Sequence, residues 1–202
     1  MIMPEAPRIL SEEQILEELA RLFLAPASDR QVFVVFGPYE RLRPFAQRVR
    51  AETERGGFHN AHGRAEFVSL NRDLIDFIQA KGLGEQADRL AAGGREDEMC
   101  RLLSDAFRDL ITSRIERPDV FALIVADFEL LYAYDLGNNT LPFIRQLAIN
   151  GKRVCLLVPG AFRDGRLWIF DHDPESRCEF PEPLLFLNSG WVFTFPREGS
   201  RR

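Results

Sequence analysis

Hydrophobic residues along this chain follow two patterns, and their alternation predicts the secondary structure. From residue 99 to 111, apolar residues recur at steps of three and one, which predicts an amphipathic helix. The segments "VFVVF" over 32–36, which Gly37 ends, "VFALIVAD" from Val120 and "RVCLLVPG" from Arg153 are apolar runs instead. Such runs are typical of strands covered on both faces, as in a parallel sheet.

Strands and helices alternate through most of the sequence, which predicts an α/β domain with a mainly parallel sheet and helices on both faces. We expect one domain over residues 1–202, with an N-terminal helix within 1–27 and a flexible tail at 196–202. Asn71 or Asp73 is expected to cap the helix that follows the strand "AEFVSLN", and "LPFIRQL" should lie in a helix over 138–152.

Composition and charge disfavour some classes of function. The chain has 202 residues, of which 46% are hydrophobic, enough for the core of one α/β domain. Its net charge of −5 disfavours direct nucleic-acid binding, although a local basic patch leaves this open. The N-terminal segment has no signal-peptide pattern, and no apolar run is long enough to span a membrane. Three widely spaced cysteines fit buried thiols in a cytoplasmic protein.

Four short segments follow predicted strands: 37–39, 70–72, 127–129 and 159–160. Ligands of open parallel sheets bind beyond the carboxyl ends of the strands. A binding site, if the protein has one, is therefore expected where these four segments meet.

The segment after the first long strand occupies the position of a phosphate-binding loop but lacks its chemistry. Such a loop needs several glycines, a lysine and a serine or threonine. "GPYERLRP", from Gly37, has one glycine and no lysine, Pro38 has no backbone N–H, and Glu40 would repel a phosphate. We therefore predict a three-layer architecture like that of P-loop NTPases, without a functional phosphate loop.

Asp127 and Glu129 follow the strand "ALIVA" and are the candidate metal ligands. An aspartate at this position holds Mg²⁺ in NTPases, and an acidic neighbour can activate water. An acidic residue after an apolar strand is also common as plain structure, where it caps a turn or meets solvent. No catalytic residues and no cofactor are predicted.

The second helix carries four arginines within ten residues, Arg41, Arg43, Arg48 and Arg50, of which only some can share a face. The candidate anion- or partner-binding site is formed by Arg41, Arg43 and Arg48. The alternative is a solvated helix face balanced by nearby glutamates. Aromatic residues near the C-terminus, Trp168, Trp191, Phe193 and Phe195, could form a contact surface or belong to the core.

Residues 65–173 resemble the BrxB family of BREX phage-defence systems. The resemblance rests on "VADFELLYAYDLGNNTLPFIRQLAINGKRVCLLVPGAFRDGRLWIFDHDPE", in which an apolar strand, a helix, a second apolar strand ending in Pro-Gly and a short "DGRLWIF" strand succeed one another. The resemblance implies a small cytoplasmic component without known enzymatic activity, acting beside an ATPase, a methyltransferase and a phosphatase-like protein.

The sequence therefore supports a non-catalytic interaction subunit of a phage-defence complex, whose partners are other proteins of that complex. The alternative is a degenerate P-loop-like protein that binds a nucleotide or metal through Asp127 and Glu129. A nucleic-acid-binding accessory protein, supported only by the arginine cluster, is a third hypothesis.

Overall fold

The computed structural model describes residues 7–24, 32–60, 63–133, 143, 146–147, 152–163, 166–170, 178–179 and 192–196. The described strands are β1 (Arg8–Ile9), β2 (Val32–Gly37), β3 (His59–Asn60), β4 (Gly63–Ser69), β5 (Val120–Ala126), β6 (Arg153–Arg163), β7 (Arg166–Ile169), β8 (Cys178–Glu179) and β9 (Val192–Thr194). The described helices are α1 (Glu12–Leu24), α2 (Tyr39–Glu54), α3 (Leu70–Ala80), α4 (Gly84–Ala92), α5 (Glu96–Ile115) and α6 (Glu129–Ala133).

The strands form a sheet in the order β1-β9-β2-β6-β5-β4-β3. Neighbours along this order are parallel, except for β3, which is antiparallel to β4. Strand β6 therefore lies between β2 and β5, and Gly37 at the end of β2 is in register with Pro159 of β6. Beyond Pro159, β6 continues into an antiparallel hairpin with β7, and β8 pairs with β7.

Helices cover both faces of the sheet. Successive residues of a strand point to opposite sides, so a continuously apolar strand exposes apolar side chains on both faces unless each face is covered. Phe33 and Val35 of β2 pack with α1 and α2 in one core, whereas Val34 and Phe36 pack with α3, α4 and α5 in the other. The predicted three-layer α/β fold with a mainly parallel sheet is confirmed.

Helix α1 begins as its sequence predicts. The backbone N–H of Ser11 donates to Oε1 of Gln14 at 2.9 Å, and the backbone N–H of Gln14 donates to Oγ of Ser11 at 3.3 Å. This reciprocal pair is a capping box, which satisfies backbone donors that have no partner within the helix.

Two local features differ from the sequence-based expectations. Helix α3 starts at Leu70 with Ser69 as its N-cap, so the prediction of a cap at Asn71 or Asp73 was wrong. Asp73 instead accepts the backbone N–H of Ser69 at 3.2 Å from within the first turn. Before α1, residues 8 and 9 form the edge strand β1, parallel to β9.

Three predictions fall partly or wholly outside the described residues. Of the predicted helix over 138–152, the structure describes Phe143, 146–147 and residue 152, the first three of them helical. Of the predicted tail, it describes Pro196. Residues 1–6 and 25–27 of the predicted N-terminal helical region are also outside the description. Within the described part of the chain, no helix is both long enough and apolar enough to cross a membrane.

A buried carboxylate joins β4 to the end of α5. Glu66 is only 8% exposed and accepts hydrogen bonds from Arg114 at 2.6 Å and Arg117 at 3.0 Å. A charge removed from water needs such partners, because desolvation is otherwise costly. This cluster therefore fixes α5 against the sheet on the face opposite α1 and α2.

Candidate functional site

A cleft of about 420 Å³ opens at the carboxyl ends of β4, β5 and β6, along the side of α2. It is lined by Tyr39, Leu42, Arg43, Ala46, Gln47, Arg50, Phe67, Ser69, Asn71, Arg72, Ala126, Asp127, Glu129, Leu157 and Pro159. Each of the four segments predicted to follow a strand contributes a residue to this lining. The location expected from the sequence is thus the location of the cleft.

Glu129 is held by two side-chain donors from different parts of the fold. The Tyr39 hydroxyl donates to Oε1 at 2.6 Å, and Nδ2 of Asn71 donates to Oε2 at 2.6 Å. The Asn71 Oδ1 accepts the backbone N–H of Leu130 at 3.0 Å, which ties α3 to the first turn of α6. Both oxygens of the Glu129 carboxylate are therefore engaged within the protein.

Asp127 has an unusual backbone conformation at the end of β5. Its φ is 60°, in the left-handed region that non-glycine residues seldom occupy and that aspartate tolerates better than most. The Ser69 hydroxyl donates to Oδ2 of Asp127, and the backbone N–H of Asn71 donates to its carbonyl at 3.2 Å. These contacts hold the strained residue, and its Oδ1 receives no donor from the described residues.

Tyr39 supplies the phenol that bridges α2 and α6. Burial, and then the hydrogen bond to Glu129, raise the pKa of Tyr39 well above its usual value. Its ring stacks on Phe170, with centroids 6.3 Å apart and planes 16° apart. The phenol therefore remains protonated near neutral pH and acts as a fixed hydrogen-bond donor.

The turn after β2 explains why Gly37 is a glycine. Only Pro38 lies between the end of β2 and the start of α2 at Tyr39, so no multi-residue loop surrounds this position. A Cβ on Gly37 would lie 2.4 Å from Cδ2 of Phe195. Gly37 thus makes room for an aromatic ring of the C-terminal segment.

The three arginines proposed as one patch are not all in the cleft. Arg41 donates to the carbonyl of Pro196 at 2.5 Å, and its guanidinium lies 4.8 Å from the centroid of the Phe195 ring. Arg48 pairs with Glu12 of α1 at 2.8 Å. These two residues therefore join α2 to neighbouring segments of the protein.

Arg43 is the member of that patch that lines the cleft, together with Gln47 and Arg50 of the same helix. Arg50 pairs with Glu54 at 2.8 Å. Arg43 is exposed and has no hydrogen-bond or ion-pair partner among the described residues. Gln47 was not expected at a site, and Arg50 was counted among the arginines of the second helix without being assigned to the site, although their spacing from Arg43 by four and seven residues puts all three on one helix face.

The proposed metal ligands meet at the cleft, but few donors surround them. No group of three or more histidine, cysteine, aspartate or glutamate side chains suited to a metal ion occurs among the described residues. Asp127 and Glu129 both line the cleft, and three of their four oxygens accept hydrogen bonds from Ser69, Tyr39 and Asn71. A metal would have to compete with these donors.

The C-terminal aromatic residues divide between core and surface. Phe193 is fully buried and Phe195 is 5% exposed, so both belong to the core beneath α1 and α2. Trp168 in β7 is half-buried, and Trp191 lies outside the described residues.

Comparisons of the chain with protein-family models, with curated proteins and with solved structures found no match.

Proposed function

We propose that this protein is a non-catalytic accessory subunit of a bacterial phage-defence complex of the BREX type, acting in the cytoplasm through contacts with other proteins of that complex. The observation that carries the proposal is the packing of Phe195 against Gly37. A phosphate loop would need open backbone at this position, and here an aromatic ring covers it.

The residues around the turn between β2 and α2 also favour a non-catalytic role. Pro38 supplies no backbone N–H, and α2 begins at the next residue. Glu129, which would be the water-activating acid of an NTPase, accepts hydrogen bonds on both oxygens. Its role in the structure is to connect α2, α3 and α6.

The resemblance of residues 65–173 to the BrxB family supports the choice of complex. In that setting the partners would be an ATPase, a methyltransferase and a phosphatase-like protein. A subunit without its own catalytic site would contribute by binding them, which agrees with a strand-end region stabilised by internal hydrogen bonds.

A deletion and complementation experiment in the native host tests this proposal. Deleting the gene should abolish phage restriction, and a tagged copy should restore it and co-purify with the same defence proteins in a fixed ratio. Glu129→Gln, which removes the carboxylate charge and keeps the size of the side chain, should restore restriction as well as the unaltered gene. A folded Glu129→Gln protein that binds its partners but fails to restore restriction would contradict a non-catalytic role.

The second candidate function is a nucleotide or metal site that uses Asp127 and Glu129. The observation in its favour is the strained Asp127, because such outliers concentrate at functional sites. This function predicts that ATP with Mg²⁺ raises the melting temperature of the protein and that Asp127→Ala removes the increase. The absence of any change in melting temperature with millimolar MgATP would contradict this function.

Direct nucleic-acid binding is the remaining alternative among partners. Arg41 and Arg48 have protein partners in the structure, which leaves Arg43 as the cation of the proposed patch without a partner among the described residues. If nucleic acid binds, affinity should fall steeply with salt and with Arg43→Glu.

A further inference from the structure

The wall of the cleft formed by α2 carries a polar stripe. Arg43, Gln47 and Arg50 are separated by four and three residues, so they lie on one face of the helix and all line the cleft. Arg72 at the start of α3 also lines it. Three guanidinium groups from two helices therefore border one small cavity.

These guanidinium groups can turn to a ligand at little cost. Arg43 has no protein partner among the described residues. The Arg50–Glu54 pair is exposed and spans one helical turn, a type of pair that contributes only about 0.3–0.5 kcal/mol. Arg72 lies 3.6 Å from Asp73, whose carboxylate also accepts the Ser69 backbone N–H.

The floor of the cleft offers a hydrogen-bond acceptor. Asp127 Oδ1 receives no donor from the described residues, whereas Ser69 fixes the other oxygen. A hydroxyl group of a ligand could donate to this free oxygen. The cleft thus presents cationic donors on its walls and a carboxylate acceptor at its base.

We propose that this cleft binds a small, hydroxyl-bearing phosphomonoester without a metal ion. The phosphate would accept hydrogen bonds from Arg43 and from Arg50 or Arg72, since planar guanidinium groups bind phosphate in bidentate fashion. A hydroxyl of the ligand would donate to Asp127. Because the phosphate is dianionic, more than one guanidinium is needed to balance its charge. The volume of the cleft falls within the range of small-molecule sites.

This site differs from a nucleoside triphosphate site in its position on the fold. The ligand would lie along the side of α2, at Arg43, Gln47 and Arg50, and not at the N-terminus of that helix beside Gly37. The inference stands independently of the accessory function, because it concerns a ligand of this chain alone.

Isothermal titration calorimetry of the purified full chain tests the proposal, with AMP, ribose 5-phosphate, adenosine and inorganic phosphate as probes. AMP or ribose 5-phosphate should bind saturably with a submillimolar Kd that EDTA leaves unchanged. Adenosine and inorganic phosphate should each bind at least about tenfold more weakly, since each lacks one of the two contacts.

The test variant is Arg43→Gln, which should weaken binding of the better probe about tenfold or more by removing a charged donor. Arg48→Gln is the matched control, because Arg48 is on the same helix but pairs with Glu12 outside the cleft lining. It should leave the Kd unchanged. Circular dichroism confirms that both variants are folded.

Three results would overturn the proposal. The first is the absence of heat with both AMP and ribose 5-phosphate at millimolar concentration. The second is binding of adenosine or inorganic phosphate as tight as that of the phosphomonoester. The third is a Kd that Arg43→Gln and Arg48→Gln change equally.

Discussion

Replacing Gly37 by alanine should destabilise the protein by about 1–3 kcal/mol, because the new methyl group would overlap the ring of Phe195. The Cβ would lie 2.4 Å from Cδ2 and 2.7 Å from Cε2 of that ring. Gly37 does not have a positive φ, so alanine meets no backbone strain there. Without the ring, alanine in place of a strand glycine would gain about 0.5–1 kcal/mol.

The ring of Phe195 cannot move aside freely. It packs edge-to-face on Phe45, with centroids 5.3 Å apart, and the Arg41 guanidinium lies 4.8 Å from its centroid. Aromatic pairs of this kind contribute about 0.5–1.5 kcal/mol beyond burial. Displacing the ring would weaken both contacts, which places the cost in the upper part of the expected range.

A double-mutant cycle measures this interaction directly. Urea unfolding followed by circular dichroism would give the free energy of unfolding of Gly37→Ala, Phe195→Leu and the double variant. The double variant should be at least about 1 kcal/mol more stable than the sum of the single effects predicts.

Gly82→Ala is the matched control for this cycle. Gly82 has a φ of +70°, and, apart from its two chain neighbours, no described residue has an atom within 4 Å of the point that an alanine Cβ would occupy, so alanine there should cost about 1 kcal/mol through backbone strain alone. Its effect should add to that of Phe195→Leu. Additivity within about 0.5 kcal/mol between Gly37→Ala and Phe195→Leu would refute the packing explanation of Gly37.

Three further predictions concern buried groups elsewhere in the fold. Glu66→Gln should lower the free energy of unfolding, measured in urea, by about 2 kcal/mol. This is less than the usual cost of breaking a buried ion pair, because Arg114 and Arg117 are partly exposed. A loss under about 0.5 kcal/mol would contradict the stabilising role of the Glu66–Arg114–Arg117 cluster. Tyr39→Phe should cost about 1.5–3 kcal/mol at neutral pH through the lost bond to Glu129. The pKa of Tyr39 is raised in the folded state, so the stabilisation that its phenol provides is present below about pH 10 and declines as the pH rises further. The difference in the free energy of unfolding between the unaltered protein and Tyr39→Phe should therefore narrow above that pH. A difference that stays constant until the protein unfolds would contradict this. Burial raises the pKa of the Cys155 thiol, and peptide mapping after iodoacetamide treatment should therefore find Cys100 modified before Cys155; equal rates in the native protein would contradict the described core.

The central strands were predictable because a strand that is buried on both faces has an unbroken run of apolar residues. Strand β5 and residues 154–158 of β6 are continuously apolar, and their two-sided packing requires this. By contrast, β1 has two residues, too few to show a pattern. Its position depends on pairing with β9, a distant part of the chain.

The place of the cleft was predictable, but the hydrogen bonds within it were not. Parallel strands bring their carboxyl ends to one edge, so the four strand-end segments had to meet. The bond from Asn71 to Glu129 joins residues separated by 58 positions, and no local pattern indicates it. Helical periodicity could have separated Arg43 from Arg41 and Arg48, since the former lies on a different face of α2.

Calorimetric titration with ATP, with and without Mg²⁺, tests most directly whether the turn after β2 lacks a triphosphate site. The packing of Phe195 on Gly37 predicts that Mg²⁺ adds nothing to any affinity for ATP, and that ATP binds no more tightly than AMP. Saturable, Mg²⁺-dependent binding of ATP that Asp127→Ala abolishes would contradict that account.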